Sequence, residues 1–498
     1  MAELTDRPHP PGDYPVVVVG SGPGGLQVSY TLGRLGVRHA LISADEEPAG
    51  MFRRFPFFQR LVTWSKPFAP VERGTREYEW YDWNSLLGEE PDHRALVPPV
   101  MDGASMFPSR EEMERGTADF VARTGLPVRY GCRWTGTRKD GERFVLETSD
   151  GEYRCDAAVF AFGMAESWKP DTPGIEDVPH YVDTEDPKSY RDQRIVLIGK
   201  RNSGFELADG FMPWAKQVIL VSPRPARISI IVHSTASARA RYLQPYEDWV
   251  LGGGTHVLDA AIERIERTAA GWRVTAAGTT RPGAITLEAD RVIACTGFTT
   301  PLGDLPDLGV KTFYQGRLPA QTPYWESASL PGIYFAGAVT QGAVGLKKYG
   351  IPSNSAAVHG FRYNARALAR HLATTRFGVD LPPERVAADE VVGYLLSEVT
   401  NAPELWNQQS YLARVVRFDE SEGILDDGIL PLQDFVDRAG PDAVAAAVET
   451  DEAGDIHPCL YVRRDGKVEE HVLTGDPMLD FTTAEHRKQV EGSLKGLL

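Results

Sequence analysis

The 498-residue sequence predicts an α/β chain in which one strand–turn–helix–strand unit is interrupted by a second of the same kind, and an α+β extension follows. Three observations carry this. Two stretches, "VVVVGSGPGG" from Val16 and "RIVLIGKRNSG" from Arg194, run from a β-branched strand into a glycine turn. Two later strands, "AAVFAFG" and "RVIACTG", end alike at Gly163 and Gly297. Charge then shifts abruptly: residues 384–498 hold 24 of the 69 acidic and 10 of the 53 basic residues, or −14 of the net −16.

The first unit opens with a short β-branched run, the composition of a strand buried on both faces. "GSGPGG" turns it into the helix "LQVSYTLGRLG", and a strand follows near His39–Ile42. That context makes a GxGxxG turn a Rossmann-like dinucleotide-binding fingerprint. Gly20 permits the tight turn, Gly22 lets backbone approach a pyrophosphate, and Gly25 lets helix and strand pack. Gly24 belongs to the same turn. Free N–H groups at the helix start favour phosphate. The position usually held by a ribose-binding acid falls at Ser43, with Asp45 and Glu46 just beyond. Asp45 reads equally well as a ribose ligand or a plain loop residue.

An aromatic and basic excursion, "RRFPFFQRLVTWSKP", precedes a helix that Ser109 and Glu112 begin as a capping box. An SDG turn joins two strands, and "MAESWKPDTPG" leaves the second as a crossover. The second unit keeps Gly199 and Gly204, but Arg201 stands where the middle glycine is expected, with Asn202 and Ser203 beside it. Ser222 ends its second strand, Arg224 and Arg227 follow, and no acid stands among them. "LPGIYFAGAVTQG" brings a last strand into a glycine loop at Gly337, and a long helix follows. The nested repeat divides the chain at 1–168, 169–288, 289–380 and 381–498. In the last part "LWNQQSYLARVV" reads as helix and "IHPCLYVRRDGKVEEHVL" as a strand pair, a folded cap or a dimer contact.

Bulk properties exclude several classes. A net charge of −16 argues against nucleic acid or an anionic membrane as partner. Cys132, Cys155, Cys295 and Cys459 form no CxxC pair, so neither a local redox disulfide nor a zinc knuckle is indicated. The polar N-terminus, the scattered cysteines and the lack of an apolar run of about 18 residues point to a soluble cytoplasmic protein. Frequent Ala, Gly and Arg fit a GC-rich bacterial gene.

In order, "GSGPGG", "VFAFG", "GKRNSGFE", "IACTG" and "GIYFAGA" resemble the two-dinucleotide-domain flavoproteins, and within them the class B flavin monooxygenases. "GKRNSGFELA" and "HGFRYNARAL" are similar to the ER-associated FAD-dependent oxidoreductase branch. The resemblance covers roughly residues 14–375. It implies an FAD domain interrupted by an inserted NADPH domain. It also implies hydride transfer from NADPH to flavin N5, a C4a-(hydro)peroxide with O2, and oxygen transfer to a small nucleophilic metabolite. Arg201 then either contacts the NADPH phosphates or points to solvent. Ser222 and Arg224 suit a 2′-phosphate.

Three features depart from the pattern. Trp64 stands where relatives place an asparagine near the flavin, leaving Ser65 or Lys66 as donors. His180 occupies the place of the fingerprint histidine without its flanking residues, and Gly337 is followed by Ala338, not by an acid. These departures keep open a flavoprotein oxidase or dehydrogenase without oxygen insertion, and a flavin-bearing interaction module. The expected partners are a small-molecule substrate and O2, with a possible homodimer.

Overall fold

The computed structural model describes residues 7–54, 60–226, 254–343, 345 and 354–498. Strand Gly12–Val19 lies between His39–Ile42 and Gly151–Phe160, parallel to both. Val16, Val17 and Val18 are fully buried, as a β-branched run with both faces covered must be. Arg143–Thr148 and Trp134–Asp140 extend this sheet antiparallel. Ile333–Phe335, from far along the chain, returns to pair in parallel with Gly151–Phe160. The helix Pro23–Arg34 packs against the long helix Val358–Phe377 over the sheet.

The inserted sheet runs in the order Ala284–Ala289, Gly271–Gly278, Thr255–Thr268, Gln217–Ser222, Arg194–Ile198, Arg291–Ala294. The last four named are mutually parallel, and the first two form an antiparallel flap on Thr255–Thr268. Strand Arg291–Ala294 thus pairs inside the inserted sheet, although a boundary at 288/289 places it in the resumed first unit. The chain passes between the units through two short strands, Glu166–Ser167 and Phe298–Thr299, paired antiparallel.

The third sheet is wholly antiparallel, in the order Glu384–Val386, Gly423–Pro431, Leu412–Asp419, Ala443–Thr450, Ile456–Arg464, Lys467–Val472. Every residue of Ala443–Thr450 is buried. Helices Val391–Asn401, Pro403–Asn407 and Ala484–Ser493 cover one face, and Leu432–Asp437 covers the other. Only the first part of "LWNQQSYLARVV" is helical. From Leu412 it is strand, because its β-branched residues find partners on both sides.

This third unit is bolted to the first by charge. Arg76 donates to Glu398 at 2.8 and 3.0 Å and to Glu404 at 2.8 Å, while Arg366 also reaches Glu404 at 2.8 Å. Burial alone would raise the Glu404 carboxyl, but Arg76 and Arg366 outweigh it and hold the group at about 2. Asn354 Nδ2 donates to Asn407 O, and Trp80 Nε1 donates to Asn401 O. Among the described residues, no helix is long and apolar enough to cross a membrane.

Candidate cofactor-binding site

The first glycine turn is dictated by close backbone approaches. Gly20 has φ +106°, its N–H donates to Ile42 O at 2.8 Å, and a Cβ there would meet Ala161 O at 2.7 Å. A Cβ on Gly25 would sit 1.9 Å from Gly20 O. Gly24 has a reason that local spacing does not contain. Its Cβ would lie 2.3 Å from Gly337 Cα, so the turn and the late glycine loop cross backbone on backbone. Among the described residues, a Cβ on Gly22 would face only the Met51 sulfur, at 3.1 Å. Gly163 also takes a positive φ, in open space.

Ser43 is buried at the strand end. It accepts from Ser21 Oγ at 2.7 Å and from the Asp45 N–H at 3.1 Å. Asp45 is paired with Arg54. Arg53 is held by Glu47 and Glu114, and Arg60 by Asp102 and Glu112, so these arginines already have carboxylate partners.

The three residues expected near the flavin ring are engaged differently. Ser65 is buried, donates its hydroxyl to Asp82, and accepts from Asn84 Nδ2 at 3.1 Å. Its proton is therefore committed within the protein, which corrects its assignment as a free donor. Lys66 is exposed, its ammonium 5.8 Å from the Tyr81 ring centre. Trp64 lies 4.7 Å from Trp83, centre to centre, and Trp83 stacks on His359 at 4.4 Å. Trp83 thereby joins the excursion to the start of the long helix.

His359 was not singled out by sequence, because a lone histidine at a helix start carries no pattern. It is 1% exposed, and among the described residues neither ring nitrogen has a hydrogen-bond partner. Burial, then the charge of Arg362, push its pKa down to about 3, so the ring is neutral.

The second turn repeats the outer constraints. A Cβ on Gly199 would meet Cys295 O at 2.3 Å, and one on Gly204 would meet Gly199 O at 2.2 Å. Arg201 is the exposed N-cap of helix Asn202–Phe211, which Asn202 and Ser203 open without a side-chain cap. The preceding Lys200 is buried; its ammonium donates to Leu258 O at 2.7 Å and pairs with Asp259.

Asp259 stands opposite Ser222 in register, so the fold brings an acid to a place where the linear sequence has none. Its other oxygen accepts from Thr280 at 2.8 Å, and the Lys200 hydrogen bond, opposed only in part by burial, holds its carboxyl below the ordinary value. Arg224 is exposed beyond Ser222, and Arg227 lies outside the described residues.

His180 is a structural residue here. It is buried, caps the short turn Tyr181–Asp183, and its Nε2 lies 3.0 Å from Gly297 O. Burial lowers its pKa, and it meets the edge of Phe298. It braces the crossover. Gly297 itself has φ +94°.

Both turns and the late loop have the features a pair of dinucleotides requires. The helices beginning at Pro23, Asn202 and Val358 have N-caps Gly22, Arg201 and Ala357, none with a side-chain hydrogen bond. Their first turns carry no acid, in contrast to Arg110–Thr124, which Ser109 and Glu112 close. Such ends accept anionic groups through their N–H donors. The backbone crossing at Gly24 and Gly337 forms a cradle without side chains. His359, whose ring nitrogens find no partner among the described residues, lies one residue inside the third helix.

Comparison with known proteins gives the same picture. The family model described as pyridine nucleotide-disulphide oxidoreductase matches residues 17–337, more than half of the chain. The mouse FAD-dependent oxidoreductase domain-containing protein 2 is 26% identical over 452 residues, 84% of this chain and 66% of that protein. The chain thus spans just under two thirds of that relative. Among solved structures, the bacillithiol disulfide reductase of Bacillus cereus has a TM-score of 0.54 at 20% identity, over 73% of this chain and 99% of that one. A flavin-containing monooxygenase from Stenotrophomonas maltophilia has a TM-score of 0.53 at 20% identity, over 73% and 98%. These two likenesses establish the fold.

Proposed function

Because this chain belongs to the pyridine nucleotide-disulphide oxidoreductase family, we propose that it takes hydride from NADPH onto FAD and uses O2 to oxygenate a small nucleophilic metabolite. FAD and NAD(P)H are its cofactors. Bound flavin supplies the two-electron acceptance and, once reduced, the reactivity with O2. The chain's own residues position it. The crossing of Gly24 and Gly337 admits a pyrophosphate closely, the end of helix Val358–Phe377 offers N–H dipoles to negative charge, and Arg201 and Arg224 meet the nucleotide that must come and go.

The observation that carries this reading is the contrast between the two turns. One is closed by backbone crossing backbone and suits a resident group. The other is lined by exposed arginines and suits an exchanging one. Dithiol chemistry finds no support in this chain, since all four cysteines are buried and none forms a disulfide with another. Burial holds the Cys155 thiol near 12, far from a thiolate at neutral pH.

One observation favours a second reading, an oxidase or dehydrogenase without oxygen insertion. Trp64 offers no amide, and the nearby Asn84 already donates to Thr63 O and Ser65 Oγ. Anaerobic reduction by NADPH followed by mixing with O2 separates the two. A lasting spectral species distinct from oxidised and reduced flavin supports oxygenation. Immediate recovery of oxidised flavin, with one H2O2 released per NADPH, supports the oxidase.

A further inference from the structure

The hairpin Thr312–Phe313/Leu318–Pro319 belongs to the first unit's late segment, yet its tip reaches the crossover. Tyr314, Gln315 and Gly316 all take left-handed conformations, φ +54°, +60° and +78°. Two of these are not glycine, so the tip is strained, and surrounding contacts must hold it. That conformation delivers Arg317. Its guanidinium lies 4.5 Å from the Trp168 ring centre and 5.1 Å from that of Tyr314, and Nε donates to Phe298 O at 2.9 Å. A Cβ on Gly297 would sit 3.0 Å from Arg317 Nη2. Trp168 is fastened in turn, its N–H donating to Gly297 O at 3.0 Å.

Arg317 forms no ion pair among the described residues, and neither does Arg201, the charged group at the second unit's turn. The two repel. Burial first, and the Arg201 charge after it, draw Arg317 below its ordinary value against the opposing pull of Tyr314. Arg201 sits at the N-cap of a helix whose own end is electropositive. The Gly199 turn approaches Cys295 O while Arg317 touches Gly297 and Phe298, so the two like charges and the helix N-terminus meet at one crossover, with no carboxylate paired to either arginine among the described residues, and an anion there relieves their repulsion. Stacking on Trp168 fixes the plane of Arg317, and a preorganised guanidinium suits phosphate oxygens.

We propose that Arg317, reaching over from the first unit, completes with Arg201 a cross-unit site for the pyrophosphate of the nicotinamide dinucleotide. This rests on the reading of the second turn as the NAD(P)H site and adds a residue outside that domain. Pyrophosphate is common to NADPH and NADH, so Arg317 strengthens both equally, whereas a 2′-phosphate contact acts on NADPH alone. Bridging the units also couples nucleotide binding to their relative position.

The test is titration of NADP+ and NAD+ into FAD-loaded wild type, Arg317→Met, Arg317→Lys and Arg201→Met, with flavin content and thermal midpoint measured alongside. Arg317→Met is expected to weaken both nucleotides about tenfold to a hundredfold, the worth of a charge-assisted hydrogen bond, with their ratio and the flavin content unchanged. Arg317→Lys is expected to recover part of the loss. Arg201→Met combined with Arg317→Met is expected to lose less than the product of the single losses, because both meet one anion. Unchanged affinity in Arg317→Met overturns the proposal, and so does a loss confined to NADP+. Loss of flavin in both Arg317 variants also overturns it, making the residue a crossover brace. Failure of wild type to bind either nucleotide removes the underlying reading instead.

Discussion

Gly24→Ala is the most direct probe of the proposed resident-cofactor site. The added Cβ would stand 2.3 Å from Gly337 Cα and 2.4 Å from Gly337 N. Carbon atoms in contact need about 3.5 Å, so the two segments must part by about 1.2 Å. Neither is free to do so. Gly24 lies in the buried first turn of Pro23–Arg34, and Ala336, next to Gly337, donates its N–H to Phe160 O at 3.0 Å. The strain is therefore of the overpacking kind, about 3 kcal/mol at its upper end. It displaces the very backbone that is to hold the pyrophosphate. Gly163→Ala is the control, because its φ is +68° but among the described residues no atom lies within 4 Å of the added Cβ; only the backbone preference, about 1 kcal/mol, is lost there. The assay is flavin absorbance per chain together with the urea midpoint of flavin release. Gly24→Ala should lose most of its flavin and Gly163→Ala little. A Gly24→Ala protein with one flavin per chain and an unshifted midpoint would refute the crossing as the basis of the site.

Three further outcomes are expected. His359 is held neutral in the fold near pKa 3, while the unfolded chain takes the proton near 6.5, so stability is intact above pH 6.5 and falls below it. Between pH 6.5 and 5 the loss from this residue is about 2 kcal/mol, a window in which Glu404 stays ionised; denaturant midpoints should show a shallower fall for His359→Leu, and parallel curves would contradict this. Arg76→Ala leaves Glu404 buried with Arg366 alone and should destabilise the junction by about 3 kcal/mol, the low end for a buried pair because Arg76 is 35% exposed. Faster amide exchange in Val391–Asn401 is the readout, and unchanged exchange would count against the charge bolt. Arg224→Ala should weaken NADPH about tenfold more than NADH, as expected for loss of one charged phosphate contact, and equal losses would remove the 2′-phosphate assignment.

The outer glycines of both turns were legible because steric demand leaves a local spacing. Gly20 with Gly25, and Gly199 with Gly204, are each fixed by an oxygen a few residues or one strand away. Pairings set by the return of the chain left no such trace. Nothing near Gly24 announces Gly337, and nothing near Ser222 announces Asp259, which arrives on a neighbouring strand. His180 and Ser65 mislead for a related reason. Each matches a position in a linear pattern, while tertiary partners, Gly297 O and Asp82, have already taken their polar atoms. Arg317 shows the converse. Its flanks look like an ordinary loop, and only the left-handed tip and the Trp168 stack reveal that it is aimed.

On the proposed reading, the contrast between the two turns follows from what each would do. A group that stays is best held by backbone, because glycine crossings leave no side chain to rearrange and no charge exposed when the site is filled. A group that exchanges needs on-rate as well as affinity, and exposed cations supply attraction at a distance. Substituting Arg201 for the middle glycine sacrifices close backbone approach for charge, and Lys200 behind it is neutralised by Asp259 so that only the outward cation is felt. Arg317 extends that logic across the crossover. On the proposed reading, the nucleotide that meets the second unit's turn also meets the first unit, where the flavin would be held.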